Sequence, residues 1–165
     1  MDKKRIEEIR IQSLSLIEEA YGGLDRVSPP IDINKIATSL GLDIKQGPFT
    51  DDEILGAFDR NKNIIYLSEK DTYTRQAFTA AHEIGHFKLH GEVVAETFYR
   101  RDIALGAEKP EEEKEADCFA ASLLMPDFLV QDAWSVDRDI QTLARLFSVS
   151  TSAMTFRLKN LGFLD

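Results

Sequence analysis

Two histidines and the glutamate beside the first of them have the types and spacing to hold and use a metal ion. They are His82, Glu83 and His86, within the stretch AAHEIGHFKLH at residues 80–90. On an α-helix, residues four apart lie on one face, one turn apart, so both imidazoles could bind one ion. Glu83 is turned about 100° from His82, so it could act on a metal-bound water without being a ligand. The pattern predicts a metal-dependent hydrolase site rather than a surface helix with ordinary histidines, because it rarely arises by chance.

A third protein ligand must come from elsewhere, because catalytic zinc usually has three protein ligands and a water. His90 lies one turn beyond His86. Three successive turns of a straight helix do not easily direct three donors to one tetrahedral ion. The pattern HExxHxxGxxH, in which a glycine turns the chain before a third histidine, is absent from the sequence. His90 is therefore predicted to support the ligands or to line the cleft.

A second helix supplies a better third ligand. It is predicted from Glu111 to about Met125, and its apolar face places Glu113 and Asp117 one turn apart. Carboxylates directed toward a core are costly unless they are paired or metal-bound. Glu113 is predicted to bind the metal, and Asp117 to accept the free ring N–H of a ligand histidine. Three nearby alternatives are predicted to face solvent: Glu111, Glu112 and Glu115.

The elements that must position these residues are a central helix and a small sheet. The helix is predicted to begin near Asp71 or Thr72 and to end near Leu89. Gly85 within it costs about 1 kcal/mol relative to alanine, so another core element is expected to approach the backbone there. Apolar stretches at 54–58 and 63–67 predict a β-hairpin. Its second strand, Ile64 to Leu67, is either an edge strand that pairs with an extended substrate or an ordinary core strand.

Helices are also predicted at both ends of the chain. Residues 2–21 have the spacing of an amphipathic helix, and Asp32 caps a short helix that ends at Gly41, followed by a brief strand at 42–44. Residues 139–162 read as helix, turn, helix. The apolar positions of that segment resemble a helix-turn-helix, and they are Leu143, Ala144, Phe147, Val149, Met154 and Leu158.

Composition narrows the classes of protein. The 165 residues suit one compact domain, and 43% of them are apolar. A net charge of -9 argues against direct nucleic-acid binding, because its field repels phosphate. The lone Cys118 is expected to be a small buried apolar residue rather than a redox sensor. The sequence has neither the apolar core of a signal peptide nor a run long enough to span a membrane, so a cytoplasmic protein is expected.

Two stretches together carry a family resemblance. FTAAHEIGHFKLH followed by EKEADCFAASLLMP resembles the ImmA/IrrE family of zinc metallopeptidases, which combine HExxH with a downstream ExxxD in a gluzincin-type arrangement. Weaker matches are DINKIATSLGL, NIIYLS and LARLFSVSTSAMTFRL, so the resemblance extends over nearly the whole chain.

The resemblance implies an α+β fold: a compact zincin-like, minimal gluzincin domain whose small mixed sheet packs on the HExxH helix, with a C-terminal segment resembling helix-turn-helix. The expected organisation is one metallopeptidase domain over 1–165, with an N-terminal helical part at 1–45, a catalytic core at 54–126 and C-terminal helices at 138–162. The residues that correspond to the family's site are His82, His86 and Glu113 as ligands of one zinc ion, Glu83 as catalytic base and Asp117 behind the ligands.

The expected chemistry is amide hydrolysis. Zinc would lower the pKa of its water toward about 7, and Glu83 would take the proton and return it to the leaving amine. The donor that stabilises the oxyanion is left open among four residues: Tyr66, His90, Tyr99 and Arg101. The family implies a protein substrate, a helix-turn-helix repressor of mobile elements or stress genes.

Two other functions are open at this point. One is a DNA-binding regulator that uses the C-terminal helical pair, whose positive charges are Arg145, Arg157 and Lys159. Its competitor is a helical pair that only completes the core, which the acidic charge of the chain favours. The other is a sensing protein whose metal site does not catalyse a reaction.

Overall fold

The fold is built from helices around a small sheet. The computed structural model describes residues 1–91, 96–100 and 109–165, and residues 96–100 by their backbone alone. The α-helices of the described residues are α1 (Lys3–Tyr21), α2 (Ile33–Ser39), α3 (Tyr73–Leu89), α4 (Glu111–Leu124), α5 (Asp127–Val136), α6 (Ile140–Phe147) and α7 (Thr151–Asn160). None of these helices is both long and apolar enough to cross a membrane.

The strands form one mixed sheet. They are β1 (Asp43–Gly47), β2 (Ile54–Asp59), β3 (Ile64–Ser68) and β4 (Glu96–Arg100), in the spatial order β1-β3-β2-β4. β1 runs parallel to β3, whereas β2 is antiparallel to both β3 and β4. The predicted hairpin is confirmed as β2 and β3. The predicted strand after α2 is present as β1, somewhat later than residues 42–44.

The interior position of β3 decides between the two expectations for it. Its backbone groups bond to β1 on one side and to β2 on the other, with Ile65 opposite both Ile44 and Phe58. A strand paired on both sides has no free backbone donors and acceptors for a substrate. The expectation of a substrate-pairing edge at Ile64 to Leu67 is therefore wrong, and β3 is a core strand.

α3 is the central element of the molecule. Every residue from Gln76 to Gly85 except Phe78 is buried, and His86 is buried as well, so the helix is enclosed on most sides. The sheet approaches it closely at Gly56, where an added Cβ would lie 2.5 Å from the Thr79 methyl group. α4 approaches at Gly85, where an added Cβ would lie 3.2 Å from Ala116 Cα. The close contact predicted at Gly85 is therefore confirmed, and it is made by α4.

The terminal helices complete the core by burying one face each. α1 buries Ile9, Leu16 and Ile17, as the amphipathic pattern predicts. At the other end, Asp139 caps α6 through Thr142 N, and Ser150 caps α7 through Ala153 N. All six apolar positions of the predicted helix-turn-helix-like pattern are buried in the core. The sequence gives no prediction of α5, which packs through Val130 and Trp134.

This arrangement is an α+β fold with the layout expected of a zincin-like domain. A small mixed sheet packs on one side of the HExxH helix, and α4, which carries Glu113, packs on another. The predicted fold class is confirmed.

Candidate metal centre

The two motif histidines lie side by side on the buried part of α3. Their spacing of four residues brings the Nε2 atoms to 3.0 Å from each other. Both residues are buried, with exposed fractions of 0% for His82 and 5% for His86. Two imidazole nitrogens that converge in the interior require a shared partner, because a buried polar atom without one is costly.

Glu113 on α4 provides that partner. One carboxylate oxygen lies 3.3 Å from His82 Nε2, and the other lies 3.1 Å from His86 Nε2. Hydrogen bonds to His82 and then to His86 hold the pKa of Glu113 far below its usual range. Glu113 reaches the histidines because α4 packs directly on Gly85, one residue before His86. The close contact between α3 and α4 therefore sets the distance from Glu113 to the histidines.

These three side chains fit a metal ion. One donor atom from each of His82, His86 and Glu113 lies within 4.8 Å of the others. Donors bonded to one tetrahedral zinc at 2.0–2.1 Å stand roughly 3.3 Å apart. The separations of 3.0–3.3 Å are close to that value. Two imidazoles and one carboxylate are a known ligand set of catalytic zinc. The structure thus brings together the three predicted ligands.

Asp117 lies behind His82, as its position one turn after Glu113 predicts. Its Oδ1 atom is 2.9 Å from His82 Nδ1, and its Oδ2 atom accepts a hydrogen bond of 2.7 Å from Lys109 Nζ. Burial opposes a charged ring, but hydrogen bonds to Asp117 and Glu113 raise the pKa of His82 to about 9. Burial likewise opposes the charge on Asp117, yet His82 and Lys109 lower its pKa. The contact fixes the ring so that Nε2 faces Glu113.

Glu83 is a fully buried acid next to the first histidine. Its exposed fraction is 0%, and neither carboxylate oxygen has a hydrogen-bond partner among the described residues. Burial raises the pKa of Glu83 to about 8, with His82 acting in the opposite direction and Glu113 in the same one. A buried carboxyl group with a pKa near neutrality can both accept and donate a proton at pH 7.

The four candidates for oxyanion stabilisation differ in where they lie relative to the histidines. Tyr66 alternates along β3 with Ile65 and Leu67, which pack in the core with α3, so it projects from the opposite face of the sheet. The structure therefore separates Tyr66 from the histidines. Arg101 and the side chain of Tyr99 lie outside the described residues. His90 is next to His86, with ring centroids 5.7 Å apart, and is not one of the three grouped donors.

One of the other glutamates of α4 departs from the prediction. Glu111 and Glu112 face solvent as predicted, but Glu115 is only 9% exposed. Arg5 of α1 covers it and donates two hydrogen bonds, from Nε at 2.7 Å and from Nη2 at 2.6 Å. Helical periodicity places Glu115 off the apolar face of α4, but α1 packs over that side of the helix.

The sequence patterns do not predict the contacts that Lys109 and Arg5 make near the site. Lys109 precedes α4 and contacts Asp117. Arg5 is separated from Glu115 by 110 positions. Neither residue belongs to a spacing pattern, because each meets its partner only through the packing of separate elements. The one available signal was charge: a buried carboxylate requires a cation nearby.

The fold and the three grouped donors define a metallopeptidase-like domain. A family model, Peptidase_M78, described as the IrrE N-terminal-like domain, matches residues 37–159, and the chain belongs to this family. The predicted resemblance to the ImmA/IrrE family is confirmed. The matched family is named as a peptidase family.

A solved structure has a similar fold. It is described as a Mycobacterium tuberculosis transcriptional regulator, with a TM-score of 0.64 and 17% sequence identity. The match covers 92% of this chain and 46% of the other, so the chain spans about half the length of that protein. At this identity the similarity concerns the fold alone. No curated protein sequence matches the chain.

Proposed function

We propose that this protein is a zinc-dependent endopeptidase in which His82, His86 and Glu113 hold one zinc ion and Glu83 is the catalytic base. The main support is one observation: three donor atoms converge next to a buried carboxylate that has no partner among the described residues. An unpaired buried carboxylate costs stability. A histidine cluster with a purely structural role gains nothing from such a residue. A hydrolase uses it to move a proton.

The chemistry assigns a task to each residue. Zinc, when bound, would polarise the amide carbonyl and make a water molecule more acidic. Glu83 accepts the proton of the attacking water on a carboxylate oxygen and then donates it to the nitrogen of the leaving amine. Asp117 accepts a hydrogen bond from His82 Nδ1 and thereby directs Nε2 of that ring toward the metal position. Lys109 holds Asp117 in place through its second oxygen.

The substrate we propose is a helix-turn-helix repressor that is cleaved at one site to switch on genes of a mobile element or a stress response. The ImmA/IrrE resemblance supports this substrate class. The similar structure described as a transcriptional regulator supports a setting in gene regulation. A repressor substrate would place the reaction in the cytoplasm. The proposed domain is the whole of 1–165, with its core at 54–126 and helical parts at 1–45 and 138–162.

The alternative is a DNA-binding or sensing regulator with a metal site that does not catalyse. Its three C-terminal cations are differently placed. Arg157 is 5% exposed, donates from Nε to Met125 O at 2.9 Å and forms an ion pair with Asp127. Its positive charge is therefore directed into the protein and not toward a DNA phosphate. Arg145 and Lys159 remain near the surface of a chain with a net charge of -9. This placement favours the peptidase over the DNA-binding function.

Replacement of the proposed base tests the peptidase. Glu83→Gln keeps the size of the side chain and removes the proton acceptor, so we expect zinc binding to persist and cleavage to fall by about 10²–10⁴-fold. The measurements are elemental analysis for zinc and mass analysis of fragments after incubation with a repressor encoded by a neighbouring gene. Glu112→Gln is the matched control, since Glu112 is exposed on α4.

Two outcomes would refute the proposal. One is protein that contains no zinc and takes up none when zinc is added. The other is cleavage by Glu83→Gln at the rate of the unmodified chain. Binding to duplex DNA that weakens steeply with salt, in a protein that cleaves no repressor, would support the DNA-binding alternative instead.

A further inference from the structure

The two histidines of the site are supported in different ways. His82 is held through Nδ1 by Asp117 at 2.9 Å. His86 has no equivalent, because its buried Nδ1 atom has no hydrogen-bond partner in the described part of the chain. Besides the ring of His82, with centroids 4.7 Å apart, the His86 ring contacts the ring of His90, with centroids 5.7 Å apart and planes inclined by 51°. The ring of His90 thus lies one turn beyond His86, as the ring of His82 lies one turn before it.

His90 is itself anchored at the end of α3. Its backbone N–H donates to His86 O at 2.9 Å. Its Nε2 atom is buried and lies 3.5 Å from Glu115 Oε2, which is within ion-pair distance but outside hydrogen-bond geometry. Both side chains are only 11% exposed. Glu115 is thus the polar group that faces the outer side of the His90 ring.

Arg5 fixes Glu115 in turn. It donates from Nε to one carboxylate oxygen at 2.7 Å and from Nη2 to the other at 2.6 Å. A two-point contact of this kind restricts both the distance and the angle of a carboxylate. Arg5 also lies 3.5 Å from Glu8, which belongs to its own helix and is more exposed. The inner contact therefore joins α1 to α4, whereas the outer one stays within α1.

We propose that Arg5, Glu115 and His90 are positioning residues that hold the His86 ring in the orientation needed to bind the metal. The proposal rests on the zinc-dependent function above. Asp117 supports one histidine by a direct hydrogen bond, and this second set supports the other by packing a clamped ring against it. As a consequence, α1 contributes to the metal centre without contacting it.

The test is zinc affinity, measured by competition with a chelator, together with the visible absorption spectrum of the cobalt-loaded protein. Loss of outer partners typically weakens metal binding by 10–100-fold, and we expect about tenfold weaker zinc binding for His90→Ala and for Glu115→Gln. The cobalt spectrum should change in both variants. His90→Phe restores a ring against His86 but not its contact with Glu115, so it should recover part of the lost affinity. Glu8→Gln is the matched control and should change neither measurement.

Unchanged zinc affinity and cobalt spectrum in His90→Ala would overturn the proposal, as would a His90→Phe variant no better than His90→Ala. If Glu115→Gln does not fold, comparison of His90→Ala with His90→Phe still tests the proposal, because both variants leave the Arg5–Glu115 contact in place. These measurements do not depend on cleavage. An unmodified chain that binds zinc but cuts no peptide would refute the peptidase and leave the positioning proposal to be judged on affinity. An unmodified chain that binds no zinc would refute both.

Discussion

Burial and neighbouring carboxylates together set the pKa values of single residues at the candidate metal centre. Glu83 and His82 are both inaccessible to solvent, yet their pKa values move to about 8 and about 9 for different reasons. Burial dominates for Glu83 and favours its neutral form, whereas for His82 two carboxylates outweigh burial and favour its charged form. Because a histidine that binds a metal must be neutral, an ion bound at His82 would take the place of the proton that these carboxylates favour.

Glu113 and its neighbour Glu112 provide a matched pair for testing the third ligand. Glu113 contacts both histidines, whereas Glu112 is exposed. An amide binds zinc much more weakly than a carboxylate, so we expect Glu113→Gln to lower zinc affinity by at least about tenfold. Glu112→Gln should bind zinc as the unmodified chain does. Equal zinc affinity in the two variants, measured by chelator competition, would remove Glu113 from the ligand set.

Cys118 is predicted to be an unreactive thiol. Its side chain is half-buried against the core, and burial raises its pKa above the usual value near 9. Because the thiolate is the reactive form, alkylation by iodoacetamide at pH 8 should be at least about tenfold slower in the native chain than in denaturant. Similar rates in the two states would contradict this prediction and support a redox sensor instead.

The same shift has a consequence for stability. The folded chain retains the Cys118 thiol proton more tightly than the unfolded chain does. The protonated thiol therefore contributes to stability fully below the unfolded-state pKa, and this contribution is lost as the pH rises through the raised pKa of the folded chain. The denaturation midpoint should therefore fall above pH 9. Cys118→Ala should lose that part of the pH dependence.

Helical periodicity explains which site residues could be predicted. His82 and His86, and likewise Glu113 and Asp117, are four residues apart, and a regular helix places such pairs on one face whatever surrounds it. The positions of Glu115, Tyr66 and Lys109 depend instead on which element covers them. Glu115 is buried by α1, and Tyr66 faces away from α3 because of its register in β3. Such contacts join distant parts of the chain, and local spacing does not encode them.

The element that determines the site is the contact between α3 and α4. Gly85 lets α4 approach until an added Cβ would lie 3.2 Å from Ala116 Cα, Ala116 O and Phe119 Cβ. Two of those three atoms are backbone, so they move only if α4 moves. Glu113 is one turn before Ala116, so its distance from the histidines follows the distance between the two helices.

Gly85→Ala should therefore weaken metal binding. Alanine favours the helix by about 1 kcal/mol, but overpacking of a tight contact costs roughly 1–3 kcal/mol, which displacement of α4 would relieve. We expect roughly tenfold lower zinc affinity with a small change in thermal stability. Gly47→Ala is the control, because an added Cβ there meets nothing within 4 Å and the backbone is not left-handed. Unchanged zinc affinity in Gly85→Ala would show that α4 tolerates the added methyl group.

Elements with a strong local signal were predicted, and those defined by their partners were not. α3 and the β2–β3 hairpin follow from periodicity and turn residues. α5 has no separate start signal, because Pro126 follows the end of α4 and immediately precedes α5. Its buried pair, Val130 and Trp134, has the helical spacing of four but lies in a short segment. The parallel pairing of β1 with β3 connects residues about 20 positions apart through a crossover, which no local pattern specifies.

At the scale of the whole molecule, the metal centre connects elements from distant parts of the chain. The proposed ligands come from α3 and α4, and the outer contacts reach Lys109 before α4 and Arg5 in α1. An ion bound by two helices stabilises the folded chain and has no equivalent partner in the unfolded one. Metal binding and global stability should therefore be coupled.

Zinc should raise the melting temperature of the chelator-treated protein. Free zinc at 100 times its dissociation constant adds about 2.7 kcal/mol, which for a chain of 150–250 residues corresponds to roughly 5–10 °C. Differential scanning fluorimetry with and without zinc measures the shift, and a chelator should reverse it. His86→Ala lacks one ligand and should show little of the shift, and magnesium should not replace zinc, because its preferred ligands are oxygen atoms. An equal shift with zinc in His86→Ala would place the stabilising ion at another site and separate global stability from the centre formed by α3 and α4.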